Sequence, residues 1–412
     1  MKKLLIVGAG SCQINAIKRM KQLGYYVIAA DYNKTTDGKA LADEQVLADA
    51  FNVDAILACA KDMKLDGLLT VGTDQPVYTV SKVAEILNLP TLIDSEVALR
   101  VTNKKVMKQR FQQFKLPTAP FAVVSKNFAT TAIMPIKPPY VIKPVDSQGQ
   151  RGIFKVDTVD EIRMLFDDVL RHSREEEIIV EEFYESTEVT VSGWVSQGRV
   201  SILSLTDRVT FPSEEKIGVC IAHRHPSVHK HMYEKIEDLT KRICHHFDIN
   251  NGPIYFQMLI GDKGIWINEI ACRLGGAYED KTIPYVADVE IMDLVIASSI
   301  GEKIKIDNIK YNPTEKAFNT QLFFAKPGKI SAMTPISVLK NLPFVLDAGY
   351  NFRIGDEIGA IKDASQRAGY FIVTGKNELE VESNIEKIYA MFEIQDEQGK
   401  NLVITYKDAK KR

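Results

Sequence analysis

The chain has 412 residues, 45% of them hydrophobic and 26% charged, with a formal charge of −2; this is too long for one core and too apolar for a disordered chain. So small a charge argues against nucleic acid or anionic lipid as the main partner, since both select a basic surface, and no stretch approaches the roughly 20 apolar residues of a membrane span. Five cysteines, at 12, 59, 220, 244 and 272, form no C-x-x-C pair, which with their odd number implies reduced thiols and a cytoplasmic setting.

The apolar start, Leu4–Val7, is broken by Gln13, Asn15, Lys18 and Arg19 and reads as a buried strand rather than a leader. Further apolar runs at Tyr26–Ala30, Gly67–Val71 and Ser81–Leu87 alternate with amphipathic stretches, the pattern of βαβ units on a parallel sheet. Gly8-x-Gly10 follows the first run and Asp31 ends the second, which invites a dinucleotide reading, but Gln13 stands where the third glycine of that fingerprint belongs. From Thr102 a basic helix, Asn103–Lys115, runs into the proline-marked boundary Leu116-Pro117-Thr118-Ala119-Pro120.

Next come a strand within Pro138–Val145, a polar loop Asp146–Gly152, a returning strand Ile153–Val156, a helix Val159–His172, and strands Glu177–Val180 and Glu188–Val195. Lys143 precedes the loop Ser147-Gln148-Gly149-Gln150-Arg151-Gly152, whose backbone N–H groups are able to cradle phosphates; an ordinary turn between strands has the same composition. The acidic pair Glu181 and Glu182, with Phe183 and Glu188, sits between two strands, where it is either a solvated patch or a hinge that binds a purine edge and a ribose.

Gly252–Arg273 reads as a hairpin around Asp262-Lys263-Gly264, a three-residue loop with glycine at the left-handed last position. With Lys263 at its centre, Gln257 faces Glu269 across the strands at about 5 Å, a candidate Mg2+ platform. After Asn312-Pro313 a strand-rich tail is punctuated by glycines at 328, 349, 355, 359 and 369 and carries one helix, Leu379–Phe392. The charged end, Lys407–Arg412, is expected to fray.

Taken in order, these motifs resemble the ATP-grasp superfamily over essentially the whole chain. Lys104 stands in T-N-K-K-V-M-K ahead of K-L-P-T-A-P; Lys143 stands in V-I-K-P before the glycine loop; Glu181, Glu182, Phe183 and Glu188 match the adenine hinge; Glu269-Ile270-Ala271-Cys272-Arg273 matches the metal hairpin's E-v-N-p-R. Within the superfamily, Leu205–Arg208 followed by Ile221–Ser227 looks like the carboxylate–amine ligases, the L-amino-acid ligases and carbamoyl-phosphate-synthetase-like enzymes, with His223 at their acceptor-site histidine. Three positions depart from the pattern: the first metal ligand is Gln257 rather than an acid, Ala271 replaces the family asparagine, and Ala222 replaces the glycine before the acceptor-site histidine. Four histidines within 223–231 lack the spacing of a structural zinc site.

The resemblance implies an α/β fold in three parts: a Rossmann-like parallel-sheet domain at 1–101, an ATP-grasp domain at 102–310 with a mobile lid at about 118–190, and a small α+β domain at 311–412. It implies that ATP, with Mg2+ or in its place Mn2+, is held by Lys104, Lys143, Ser147, Gly149, Gly152, Glu181, Glu182, Phe183 and Glu188, with the metal on Gln257 and Glu269. A small-molecule carboxylate and an amine would meet His223, Arg273 and Arg367, the last in a loop similar to the family's R-x-G. Glu269 and Arg273 would be catalytic, the product amide forming through an acyl phosphate with release of ADP. No nucleic acid or membrane is implied, and a homodimer is compatible with the family. The competing readings are a bicarbonate-using carbamoyl-phosphate-synthetase-like enzyme, an NAD-dependent oxidoreductase on Gly8, Gly10 and Asp31, and a non-catalytic ATP-binding protein.

Overall fold

The alternating runs of the first hundred residues build a four-stranded, all-parallel sheet in the order Glu44–Leu47, Tyr26–Asp31, Lys3–Val7, Gly67–Leu69. The run Ser81–Leu87 is not a strand but the second half of helix Gln75–Ile86. Its buried Val80, Val83 and Ala84 continue from Val77 at helical spacing, and Pro76 sits in the first turn, where its missing N–H costs nothing. The computed structural model describes residues 1–212, 217–302, 304 and 311–407. The expected boundary at 310 and the chain end after Lys407 therefore lie outside the described residues. Among those described, no helix is long and apolar enough to cross a membrane.

Phe121–Ser125, Glu177–Glu182, Tyr140–Pro144 and Phe154–Val156 pair in that order as a separate antiparallel sheet. Helix Val159–Leu170 closes one face, its start fixed by a capping box between Thr158 and Glu161. Ile142, Ile162, Phe166, Ile178 and Val180 form the core between them. The next strand, Ser186–Ser196, leaves this sheet and joins the larger one.

That larger sheet has nine strands and runs Gly264–Ala271, Asn251–Gly261, Ser186–Ser196, Arg199–Thr210, Cys220–His225, Ala317–Ala325, Arg367–Gly375, Val345–Tyr350, with Val403–Ile404 paired on Ala317–Ala325. The strand-rich tail after Asn312 thus extends the sheet that carries the hairpin, through Cys220–His225 beside Ala317–Ala325. Every residue of Ala317–Ala325 is buried, as a strand covered on both faces requires. On one face of the hairpin half pack helices Lys104–Gln113 and Tyr233–His246, whose Phe111, Ile236, Ile243 and Phe247 share a core with Val191, Phe256 and Ile270.

The hairpin pairing differs in its turn from the three-residue loop expected. Gly261 faces Gly264, leaving only Asp262 and Lys263 in the turn, so the register near the tip is one residue off. A β-bulge at Asn268 then restores it, and Gln257 faces Glu269.

Strand Gly67–Leu69 abuts the end of helix Ile291–Ser299 so closely that a Cβ on Gly67 would lie 2.1 Å from the Ser299 carbonyl oxygen. Gly67→Ala is expected to cost about 1–3 kcal/mol in urea unfolding. Gly359→Ala, which would meet nothing within 4 Å, is expected to stay within about 0.5 kcal/mol. Equal midpoints for the two variants would show that the N-terminal sheet is not docked as described.

Candidate active site

Two cavities flank the hairpin. One, of about 480 Å³, lies between the four-stranded antiparallel sheet and the large sheet and is lined by Lys104, Lys143, Glu181, Glu182, Phe183, Glu188, Gln257 and Glu269 among others. The second, of about 620 Å³, is enclosed by the N-terminal domain, the large sheet and the C-terminal segment, and its walls include Asp74, Gly149, His223, Tyr255, Arg273 and Arg367. Both are of ligand size. They share Gln150, Arg208, Gln257 and Glu269, so the predicted metal platform stands where the two spaces meet.

Helix Lys104–Gln113 starts at Asn103, whose side chain accepts the Val106 N–H, and buries Lys104, Met107, Lys108 and Phe111 along one stripe. Lys104 donates to the Ser147 carbonyl at 2.6 Å and pairs with Glu269 Oε1 at 2.8 Å. Burial disfavours its ammonium, but Glu269, with Asp74 and Asp146 farther off, outweighs the penalty and raises its pKa. Lys143 pairs with Glu181 Oε2 at 2.9 Å, and Lys108, which the sequence motifs did not single out, pairs with Glu181 Oε1 at the same distance. Burial penalises the Glu181 carboxylate, yet the two lysines hold its pKa below the usual range. The signal for Lys108 was available: it stands four residues after Lys104, on the face that also carries Phe111.

The hinge is anchored to the hairpin tip. Glu182 takes Lys263 Nζ at 2.6 Å, and Tyr184 lies with its ring centroid 4.1 Å from that of Trp266 and donates to the Gly264 carbonyl. Phe183 lies under the Lys155 ammonium, 4.6 Å from the ring centroid. Glu188 is held by Arg208 at 2.5 Å, across the pair of strands Ser186–Ser196 and Arg199–Thr210. In the glycine loop, Gly149 and Gly152 both have positive φ, and a Cβ on Gly152 would press to 2.9 Å from the His172 ring. The loop is tied down at Gln148, whose Oε1 accepts the backbone N–H groups of Asp74 and Gln75 at 2.8 and 3.2 Å. Ser147 contributes its carbonyl to Lys104 rather than its hydroxyl to the cavity; the hydroxyl donates to the Arg151 carbonyl.

Among the described residues no group of three or more His, Cys, Asp or Glu side chains is placed to hold a metal ion. Gln257 and Glu269 offer two facing side-chain oxygens, a set that fits a hard cation taking its remaining ligands from phosphate and water. Arg273 rests on the Tyr255 ring at 4.7 Å and is held by Asp74, which accepts from its Nε at 2.6 Å. His223 bonds Thr206 through Nδ1 at 3.0 Å; burial, then Arg208 and Arg367, push its pKa down to about 3, so it is a neutral imidazole. Among the described residues Arg367 reaches the Gly276 carbonyl, at 3.4 Å, and its buried Nε has no hydrogen-bond partner there, so this guanidinium has donors left for an anion.

The dinucleotide fingerprint is filled from within. Gln13 accepts the Gly10 N–H at 3.0 Å and donates to the Val71 carbonyl at 2.6 Å, while both Asp31 oxygens accept backbone N–H groups, of Ala9 and Asn33. The groups that an oxidoreductase would turn to NAD are thus already paired.

Residues 136–280 match the ATP-grasp domain family and residues 321–397 the L-amino acid ligase C-terminal domain 2. An L-arginine-specific L-amino acid ligase of Bacillus subtilis is 24% identical over 69% of this chain and 70% of its own length. A formate-dependent phosphoribosylglycinamide formyltransferase of Francisella tularensis subsp. novicida is 28% identical over 46% of this chain, which spans about half (51%) of that relative. In fold, the L-amino acid ligase from Bacillus licheniformis superposes with a TM-score of 0.80 at 18% identity, covering 96% of this chain and 99% of that one. The phosphoribosylglycinamide synthetase from Anaerococcus prevotii gives 0.75 at 22% identity, covering 96% and 100%.

The Gln148 contact makes a prediction about the loop. Gln148→Ala removes the acceptor at the start of helix Gln75–Ile86. Amide exchange over 147–152 is expected to accelerate while helix Val159–Leu170 keeps its protection. Unchanged loop exchange would mean that Gln148 does not restrain it.

Proposed function

We propose, from the premise that the chain belongs to the ATP-grasp superfamily and to its carboxylate–amine ligases, that it couples the carboxylate of an amino acid to an amine and releases ADP and phosphate. One observation carries this reading: a nucleotide-sized cavity and a second, arginine-rich one open onto each other at Gln257, Glu269 and Arg208. The match to an L-amino acid ligase in both sequence and C-terminal family supports an amino acid as the donor.

In this mechanism the hinge Glu181–Tyr184 frames the base and Glu188, braced by Arg208, takes the ribose. Lys104 and Lys143 exchange their glutamate partners for phosphate oxygens and neutralise charge during transfer. Gln257 and Glu269 would hold Mg2+, or Mn2+ in its place, which when bound supplies further neutralisation at the phosphoryl group. A carboxylate oxygen of the donor attacks the γ-phosphorus and ADP departs, giving an acyl phosphate. The amine then adds to the carbonyl carbon, and phosphate leaves in place of the much poorer leaving group, hydroxide. Arg273, oriented by Asp74 and Tyr255, binds the acyl phosphate and the tetrahedral oxyanion, and Arg367 receives the anionic group of a substrate.

ATP is expected to give ADP, not AMP, only when a carboxylate is present, and hydroxylamine is expected to trap the activated acid as a hydroxamate. AMP formation, or hydride transfer with NAD, would overturn the assignment; bicarbonate as the one effective acid would move it to the carbamoyl-phosphate branch.

Glu269→Ala is expected to abolish metal-dependent turnover with the fold intact, whereas Gln257→Glu should keep or tighten metal binding by adding charge. Arg273→Lys should lower kcat by about 10²-fold or more, because an ammonium cannot reproduce the planar fork. Full activity of Glu269→Ala would show that the platform is misassigned.

A further inference from the structure

Lys108 has no part in the mechanism above, yet its side chain is only 1% exposed and sits in the wall of the nucleotide cavity. Its ammonium donates to Thr118 Oγ1 at 2.6 Å and lies 2.9 Å from Glu181 Oε1. Thr118 donates in turn to the Ile267 carbonyl at 2.9 Å, on the strand that carries Glu269. One side chain therefore ties together the helix Lys104–Gln113, the lid strand Glu177–Glu182 and the hairpin. An ammonium at that depth is held against its desolvation, and an apolar side chain of the same length would fill the space without that penalty. Its charge therefore calls for an explanation.

The explanation lies in how the charges are shared. Lys104, Lys108 and Lys143 face Glu181 and Glu269, so three ammonium groups are served by two carboxylates, with Glu181 divided between Lys108 and Lys143. Glu181 is as buried as its partners. If Lys143 were its only counter-ion, moving that ammonium to a phosphate would strand a buried carboxylate, and the nucleotide would have to compete with an ion pair for the lysine. With Lys108 staying behind, Glu181 keeps a partner and Lys143 is released.

We propose that Lys108 is a positioning residue, the resident counter-ion of Glu181 that frees Lys143 to leave that carboxylate for an anionic phosphate ligand. The inference rests on reading this cavity as the nucleotide site, and on nothing about the acid or the amine. It also gives binding a pH limit. Burial, then Lys143, lower the Lys108 pKa to about 8 against the pull of Glu181 and Glu269. The charged groups around it are Glu181 and Lys143 from the lid, Glu269 from the hairpin and Lys104 from its own helix. Above that pH Lys108 loses its proton, Glu181 has only Lys143 left, and nucleotide affinity falls.

The test is direct binding of ATP with Mg2+ by calorimetry between pH 6.5 and 9.5, with no acid or amine present. Wild-type Kd is expected to rise as pH passes about 8. K108M, which keeps length and packing, should weaken binding by about tenfold or more at pH 7 and lose that pH dependence. K108R, which stays charged, should bind within about threefold of wild type at pH 7 and show no alkaline loss. K108M/E181Q, with no carboxylate to trap Lys143, should bind more tightly than K108M, a non-additivity that a merely structural lysine would not produce. Binding by K108M equal to wild type with the same pH profile, or no recovery in the double variant, overturns the proposal while leaving the nucleotide site standing. No binding of ATP by the wild type overturns both.

Discussion

A single extra residue in one strand decides what the site contains. Near the hairpin tip the register would set Gln257 against Asn268 and send Glu269 to the opposite face, since a shift of one residue exchanges the faces of a strand. The bulge at Asn268 undoes that shift and brings Gln257 and Glu269 side by side where both cavities open. Lys104 docks on Glu269, the backbone of Ser147 docks on Lys104, and the glycine loop is fixed from there. Bulges next to active sites commonly re-aim side chains in this way.

The second organising feature is that most of the site's cations are already paired with a carboxylate. Lys104 sits on Glu269, Lys143 and Lys108 on Glu181, Arg208 on Glu188 and Arg273 on Asp74. Burial penalises each of these ions alone, so the pairs are costly to break and hold the groups in place before a ligand arrives. Asp74 and Gln148 extend this order outward: through them the N-terminal part of the chain is joined to both Arg273 and the glycine loop.

Much of this was legible in the sequence, for physical reasons that differ from residue to residue. Glu269 facing Gln257 followed from alternation about a glycine turn, although the route was wrong in detail: the turn is shorter and the bulge compensates, and no feature of Asn268 announces a bulge. The strands that carry Lys143, Glu181 and Glu188 were readable as short apolar runs, whereas the grouping of these residues came from the ordered motifs of the family resemblance. Ser81–Leu87 misleads because a short run with apolar residues at helical spacing resembles a strand when only composition is weighed. Contacts between distant segments were not readable at all. Asp74 with Arg273, Gln148 with the start of a helix, and Lys108 with Glu181 join residues 199, 74 and 73 positions apart, and nothing local records such pairings. The tail's strands were visible from their glycine punctuation, whereas their joining the hairpin's sheet depends on Ala317–Ala325 pairing with Cys220–His225.

The central claim is that a carboxylate in the second cavity is phosphorylated by a nucleotide in the first, across Glu269 and Gln257. Its most direct measure is the fate of oxygen. With a donor acid labelled with ¹⁸O in its carboxylate, turnover with ATP and an amine should place one labelled oxygen in each phosphate released, because the oxygen that attacks phosphorus leaves with it. Phosphate free of label, with both labelled oxygens retained in unreacted acid or the label carried in AMP, would contradict phosphoryl transfer to the carboxylate and the role given to the junction between the two cavities.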